Sequence, residues 1–463
     1  MRTIIFCLLL VLSVPSLQAQ DGHELWLRKK TALPVTVVSS KKSPTLNIAV
    51  QELQQGWQGA PGATVTLTLR KDKAIKRDGF KLNQNSIQAN TELGILYGAY
   101  ELLRRQQTGE AITDEVVNPS YEYRLLNHWD NPNGSIERGY AGNSIFWRRD
   151  SSFVITERDQ TLWQEYARAN ASIGINGSVL NNVNASQLML TADYLKRVKA
   201  IADIFRPYGV KVYLSVKFTS PALLGGLSTS DPLNDSVKTW WKAKAKEIYS
   251  IIPDFGGFLV KASSEGQPGP QDYGRTHADG ANVLADAVKP YGGIVMWRAF
   301  VYSPNDKDRA KQAYNEFMPF DGQFRDNVII QVKNGPVDFM PREPFSPLFG
   351  AMKKTSIMPE LQITQEYLGH STHLVFLSTM WEEMLQSDTY QQGQGSTVAR
   401  VTDGNIYPQK HTAIAGVSNI GLDTNWCGHH FAQANWYAFG RLRRCLAERA
   451  GLYAGSRAPA GAG

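Results

Sequence analysis

Three short segments in the second half of the chain each set a carboxylate just beyond an apolar run: VKASSEGQPGP with Glu265, KNGPVDF with Asp338 and ELQITQEYLGH with Glu366. Cleaving a glycosidic bond needs one carboxylic acid to protonate the leaving oxygen and a second carboxylate to attack or to activate water. These three acids could divide those roles. Cations accompany them: Lys261 precedes Glu265, Arg298 ends the run VMWRAF, and Lys333 precedes Asp338. They could converge on an anionic ligand group, Arg being suited to a planar carboxylate, or simply ion-pair with the three acids. Residue type leaves both uses open. Elsewhere, His429-His430 invites a metal reading, but adjacent histidines rarely share a site and no partner has ligand spacing, so a loop or subsite role reads better. His128 beside Trp129, and Arg138 in GSIERGYAG, could touch a substrate or only orient a loop. Glu382 and Glu383 in TMWEEML read as a solvated helix start.

The elements that must position these groups repeat along the chain after Pro119. Eight strand candidates, YRLLNHW, INGSVLNN, VKVYLSVKF, GGFLVKAS, GIVMWRAF, NVIIQVKN, TSIMPELQ and GVSNIGLD, alternate with amphipathic helices, the pattern of parallel βαβ units. Helices from about Thr191 and Ala281 end at Pro207-Tyr208-Gly209 and Pro290-Tyr291-Gly292, where Gly stops a helix before a strand. The expected α/β fold is therefore a (β/α)8 TIM barrel, whose site lies at the C-terminal strand ends. A doubly wound sheet is the alternative, but no G-x-G-x-x-G turn is present. Residues 20–119 read as a small α/β domain. SPTLNIAVQELQQGW offers a Ser43 cap with Pro44 at the first helical position, TVTLTL alternates as a strand, DGFKLNQNSIQAN reads as a hairpin, and Leu93, Leu96, Tyr97, Tyr100 and Leu103 share a helix face.

The first 19 residues carry one Arg, an apolar run from Ile4 to Val14 and small residues before Ala19, a secretory signal peptide by pattern that implies export to a periplasm or beyond the cell. Cys7 lies within it, and Cys427 and Cys445 are too few for a disulfide scaffold. The +7 charge is scattered among acids rather than clustered, which argues against nucleic acid and fits an acidic substrate. No later segment is apolar enough for a membrane helix. From Arg441 the composition turns to Arg, Ala and Gly without Lys, so residues 441–463 read as an atypical tail.

NHWDNPNGSIERGYAGNSIFW, KASSEGQPGP, KNGPVDFMPREPFSPLFG and TNWCGHHFAQANWYAFGRL resemble the xylan α-glucuronidases of glycoside hydrolase family 67. The resemblance implies a (β/α)8 barrel over residues 120–440 behind the small domain, with the family's helical C-terminal domain missing and the dimer of full-length relatives therefore doubtful. It implies release of α-1,2-linked glucuronic acid, or its 4-O-methyl ether, from glucuronoxylan oligosaccharides, with inversion and without metal or cofactor. Carried over by motif, Glu265 is the general acid, while Asp338 and Glu366 hold and deprotonate the water. Lys261, Arg298 and Lys333 bind the uronic carboxylate, Trp129 is a stacking wall, and Val183 accommodates the methyl ether. Inversion implies acid-to-base carboxyl separations of roughly 6.5 to 9.5 Å. A proton donor beside Lys261 would need burial or a neighbouring carboxylate to offset the cation. Two rivals stand beside this reading. The N-terminal pattern also resembles the domain preceding hexosaminidase barrels, although those enzymes use an adjacent Asp-Glu pair and here the pair is Ser264-Glu265. The second rival is an inactive, truncated sugar-binding remnant.

Overall fold

The structure, a computed structural model, describes residues 21–454 except positions 29, 151, 301–307, 342 and 371. The signal-peptide segment with Cys7, the Cys445 side chain and the last nine positions of the tail lie outside the described residues.

The N-terminal unit is a sheet in the order β1-β2-β4-β3-β5, built from Val35–Ser39, Ala63–Leu69, Phe80–Asn83, Ser86–Ala89 and Glu115–Val117 as β1 to β5. Helices α1 (Pro44–Gly56) and α2 (Glu92–Thr108) cover it. Ser43 caps α1, its hydroxyl accepting from the Leu46 amide with Pro44 in the first turn, and β3 and β4 form the antiparallel hairpin expected from DGFKLNQNSIQAN.

The barrel closes in the order β10-β11-β12-β13-β6-β7-β8-β9. Its strands are β6 (Tyr123–His128), β7 (Gly177–Val179), β8 (Lys211–Ser215), β9 (Gly257–Val260), β10 (Ile294–Arg298), β11 (Val328–Lys333), β12 (Ser356–Gln362) and β13 (Ala413–Ser418). Every pairing is parallel. Such strands are covered on both faces, which is why they read as continuous apolar runs. Between them run α3 (Glu157–Ile173), α4 (Ala192–Phe205), α5 (Ser220–Leu223), α6 (Asp235–Ile251), α7 (His277–Val288), α8 (Arg309–Phe317), α9 (Ser378–Gln386), α10 (Val398–Thr402) and α11 (His430–Ala454).

Two boundaries differ from expectation. Helix α7 starts at His277, not near Ala281, because Thr276 and Asp279 form a reciprocal capping box. Gly280, which weakens the helical pattern, is needed there: a Cβ would meet Pro270 Cγ at 2.8 Å and the Trp297 ring at 2.9 Å. The last strand runs Ala413–Ser418 and ends within GVSNIGLD rather than spanning it. Glu382 and Glu383 lie within α9, not at its start.

The barrel seam is β6 on β13, in register from Tyr123 with Ala413 to His128 with Ser418. The Thr412 carbonyl accepts from the Glu122 and Tyr123 amides at 3.0 Å. Inside the barrel, Leu125, Val179, Tyr213, Leu259, Met296, Ile329, Met358 and Ala415 form an apolar plug. The two units are tied by Arg168 on Glu52 and Arg124 on Asp78. Helix α11 runs past residue 441 without a break, Arg441 donates to the buried Glu101 at 2.8 Å, and Leu442 is buried.

Candidate active site

Above the plug, inward-facing positions turn polar at the C-terminal strand ends. Lys261 follows β9, Arg298 ends β10 and Lys333 ends β11. The three acids lie on the next loops. One pocket is lined by Trp129, Val183, Lys261, Glu265, Arg298, Lys333, Asp338 and Glu366 together, so residues spread over more than 230 positions of sequence meet at the barrel mouth, as the strand-end pattern requires.

The loop carrying Glu265 is a tight turn. Ser264 and Gln267 exchange backbone hydrogen bonds at 2.9 and 3.3 Å, and the two residues between them, Glu265 and Gly266, have φ of +49° and +73°. Positive φ at both central positions is the geometry of a primed hairpin turn, costless for Gly and strained for Glu. The strain places Glu265 at the turn's tip, with its side chain 49% exposed. Gly269 lets this turn close, since a Cβ there would lie 1.9 Å from the Ser263 hydroxyl.

Each acid has a cation. Lys261 donates to Glu265 at 2.5 Å and to Asn184 at 2.7 Å. Lys333 pairs with Asp338, whose other oxygen accepts from the Tyr367 hydroxyl. Arg138 pairs with Glu366, whose second oxygen accepts from Gln362 at 3.0 Å. Arg298 is the exception to pairing among the three acids: it grips Glu360, a fully buried strand residue, with three hydrogen bonds of 2.7 to 3.1 Å. Both uses considered for the cations are thus compatible with what is seen, since all three also gather on Phe300. Their charged groups lie 3.5 Å (Lys333), 5.3 Å (Lys261) and 5.4 Å (Arg298) from its ring centroid, where the ring's negative face offsets their mutual repulsion.

Crowding and burial shift these groups. Burial, then the neighbouring Arg298, pushes Lys333 down to about 8. Burial also lowers Lys261, against the pull of Glu265. For Arg298, burial is outweighed by Glu360 and the group is held above its ordinary value. Burial would raise Asp338, but Lys333 and the Tyr367 hydroxyl hold it below the usual carboxylate range. The Tyr367 phenol is raised by burial and by the carboxylate it serves.

Trp129 packs with Ile136, Phe339 and Val417 beside the pocket, and Val183 joins the barrel-interior cluster below it. His128 lies beneath the mouth, fully buried with Nε2 2.6 Å from the Tyr166 hydroxyl, and is not among the pocket residues. His430 is on the far groove with Trp26 and Tyr437. Sequence reasoning missed Glu360, Phe300 and Tyr367. An ionisable residue inside the apolar run of β12 was the available signal for Glu360, in register with Lys333.

A closed parallel barrel with carboxylates and buried cations at its C-terminal mouth defines a (β/α)8 barrel with its site at the strand ends. The chain belongs to glycosyl hydrolase family 67, whose middle-domain model matches residues 103–426. A probable alpha-glucuronidase A of Aspergillus clavatus is 41% identical, covering 96% of this chain and 58% of that protein. The alpha-glucuronidase of Hypocrea jecorina is 40% identical, covering 94% of this chain and 58% of its own length. The chain therefore spans somewhat over half the length of these relatives. Among solved structures, a GH138 enzyme targeting pectin rhamnogalacturonan II superposes with a TM-score of 0.52 at 15% identity, over 91% of this chain and 52% of that one, a likeness of fold alone.

Proposed function

We propose that this pocket hydrolyses the α-1,2 bond between glucuronic acid, or its 4-O-methyl ether, and the xylose of a glucuronoxylan oligosaccharide, with inversion. The observation that carries the reading is the cluster of buried Lys261, Arg298 and Lys333 on one phenyl ring beside three carboxylates. A neutral sugar offers such a cluster nothing; a uronic carboxylate gives it a planar anionic partner. Glu265 delivers a proton to the leaving xylose oxygen. A water between Asp338 and Glu366 loses its proton to a carboxylate, and its oxygen bonds to the anomeric carbon as the glycosidic bond breaks. Trp129 walls the sugar and Val183 faces the methyl ether.

Glu265 is half exposed and held by Lys261, so of the two offsets expected from the sequence, burial and a neighbouring carboxylate, burial is not the one that applies. The substrate supplies another route: a carboxylate arriving at Lys261 competes for the ammonium and leaves Glu265 to carry a proton. The opening residues favour export, and no described helix is long and apolar enough to cross a membrane. Membership of family 67 disfavours the hexosaminidase-like alternative.

The test is incubation of the purified protein with aldouronic acids, following uronic acid release and its anomeric configuration, with Glu265→Ala as control. Release of the β-anomer by wild type only is expected. Binding without release by wild type would instead identify a sugar-binding remnant, and release from N-acetylhexosaminides would reinstate the alternative.

A further inference from the structure

One cation of the pocket, Arg138, is neither paired with Glu265 or Asp338 nor gathered on Phe300. Arg138, on the loop after β6, has φ of +56°, a conformation that costs a non-glycine residue energy and persists only where surroundings over-determine it. Its carbonyl accepts from Asn419 Nδ2 at 2.5 Å, on the loop after β13. Its guanidinium lies 5.1 Å from the Trp129 ring centroid and pairs with both Glu137 and Glu366. The Glu366 carboxylate is thereby held at both oxygens, Oε1 by Arg138 and Oε2 by Gln362, which fixes rotation about its last bond.

Glu137 extends the chain of contacts in the other direction. Its Oε2 accepts from Asn182 at 2.7 Å and from Asn184 at 3.2 Å. Asn184 in turn accepts from Lys261, which holds Glu265. A continuous series, Glu366, Arg138, Glu137, Asn184, Lys261, Glu265, thus runs round the mouth from one carboxylate to the opposite one, with each neighbouring pair a hydrogen bond or ion pair.

We propose that Arg138 is the positioning residue for Glu366, and that the Glu137-Arg138 pair ties the water-activating side of the pocket to the proton-donating side. The proposal rests on the hydrolytic reading above and adds to it which group aims the carboxylate. Inversion needs both faces of the sugar to be served in one geometry, and a planar guanidinium fixes a carboxylate's direction in a way a point charge does not.

The experiment compares wild type with Arg138→Ala, Arg138→Lys, Glu366→Ala and the Arg138→Ala/Glu366→Ala pair on an aldouronic acid. Arg138→Ala should lower kcat about 100-fold while moving KM less than about threefold, since the loss is of alignment and not of ground-state binding. Arg138→Lys should recover only part of the rate, and added guanidinium should restore Arg138→Ala saturably. The double variant should be no slower than Glu366→Ala alone, because a residue acting through Glu366 has nothing left to position. A raised KM with kcat intact would make Arg138 a substrate ligand and overturn the proposal. Additive losses in the double variant, or no response to guanidinium by a variant with wild-type melting behaviour, would do the same. No release by wild type removes the hydrolytic reading itself and this proposal with it, an outcome distinct from any pattern among the variants.

Discussion

Replacing Lys333 by Arg should remove the alkaline limit of the proposed uronate reaction. Lys333 is buried, with its ammonium 3.5 Å from the Phe300 centroid, and burial together with the neighbouring Arg298 guanidinium pushes its pKa down to about 8. The group is cationic below that value and neutral above it, so an anionic substrate loses one of its partners as pH rises through 8. About nine-tenths of the molecules carry the charge at pH 7 and about one-tenth at pH 9. If binding requires it, kcat/KM should fall about tenfold across that interval, and kcat/KM is the right quantity because it reports groups on the free enzyme. Arg stays protonated throughout, so Lys333→Arg should carry kcat/KM further into the alkaline range, whatever its absolute rate after fitting a bulkier group into a buried site. The assay is uronic acid release from an aldouronic acid from about pH 6 to 10, comparing the shape of the two profiles. A variant whose alkaline limb coincides with that of wild type, or a wild-type profile flat through pH 9, would mean that the Lys333 charge does not set the limit.

Three further outcomes are expected. Tyr367→Phe removes the hydroxyl that helps hold Asp338 below the carboxylate range, so the acidic limb of kcat/KM should move to higher pH by up to about one unit, measured on the same substrate. Phe300→Leu leaves three cations without the ring they share and should raise KM about fivefold, with kcat less affected, as expected for loss of about 1 kcal/mol of cation–π stabilisation. His277 is buried, accepting from Trp297 at 3.2 Å and facing Glu316, and burial lowers its pKa. The unfolded chain therefore takes up the proton first, and the stability present above about pH 6.5 is lost as pH falls from there toward the folded value. Thermal melting should show that acid loss in wild type and a smaller one in His277→Asn.

The barrel was legible because strands covered on both faces cannot alternate and must read as apolar runs. The exceptions have physical causes. Strand β13 is AIAGVS, small residues with little β signal of their own, and α7 begins under a capping box that Gly280 and Asn282 obscure. The acids and cations were legible because each follows a strand, and strand ends converge in a closed barrel. Their partners were not. Glu360 meets Arg298 through strand register, Phe300 gathers cations from three strands, and Arg138 reaches Glu366 across the intervening β13. Nor does any residue type announce the left-handed backbone at Glu265 or Arg138, which the surrounding loops impose.

The seam between β6 and β13 sets when the pocket can assemble during synthesis. Its hydrogen bonds join segments 290 residues apart, as in the Glu122 amide to Thr412 hydroxyl contact. Until Ala413–Ser418 has been made, β6 and β12 are both bare sheet edges, open to wrong pairings. Arg138 follows β6 and Glu366 follows β12, on opposite sides of the missing strand. The final strand therefore does two things at once: it buries the two sticky edges and draws the Glu366 carboxylate to the Arg138 guanidinium. A nascent chain can hold Glu265 on its turn early, but the complete pocket arrives only with closure, in the same step that ends its exposure to aggregation.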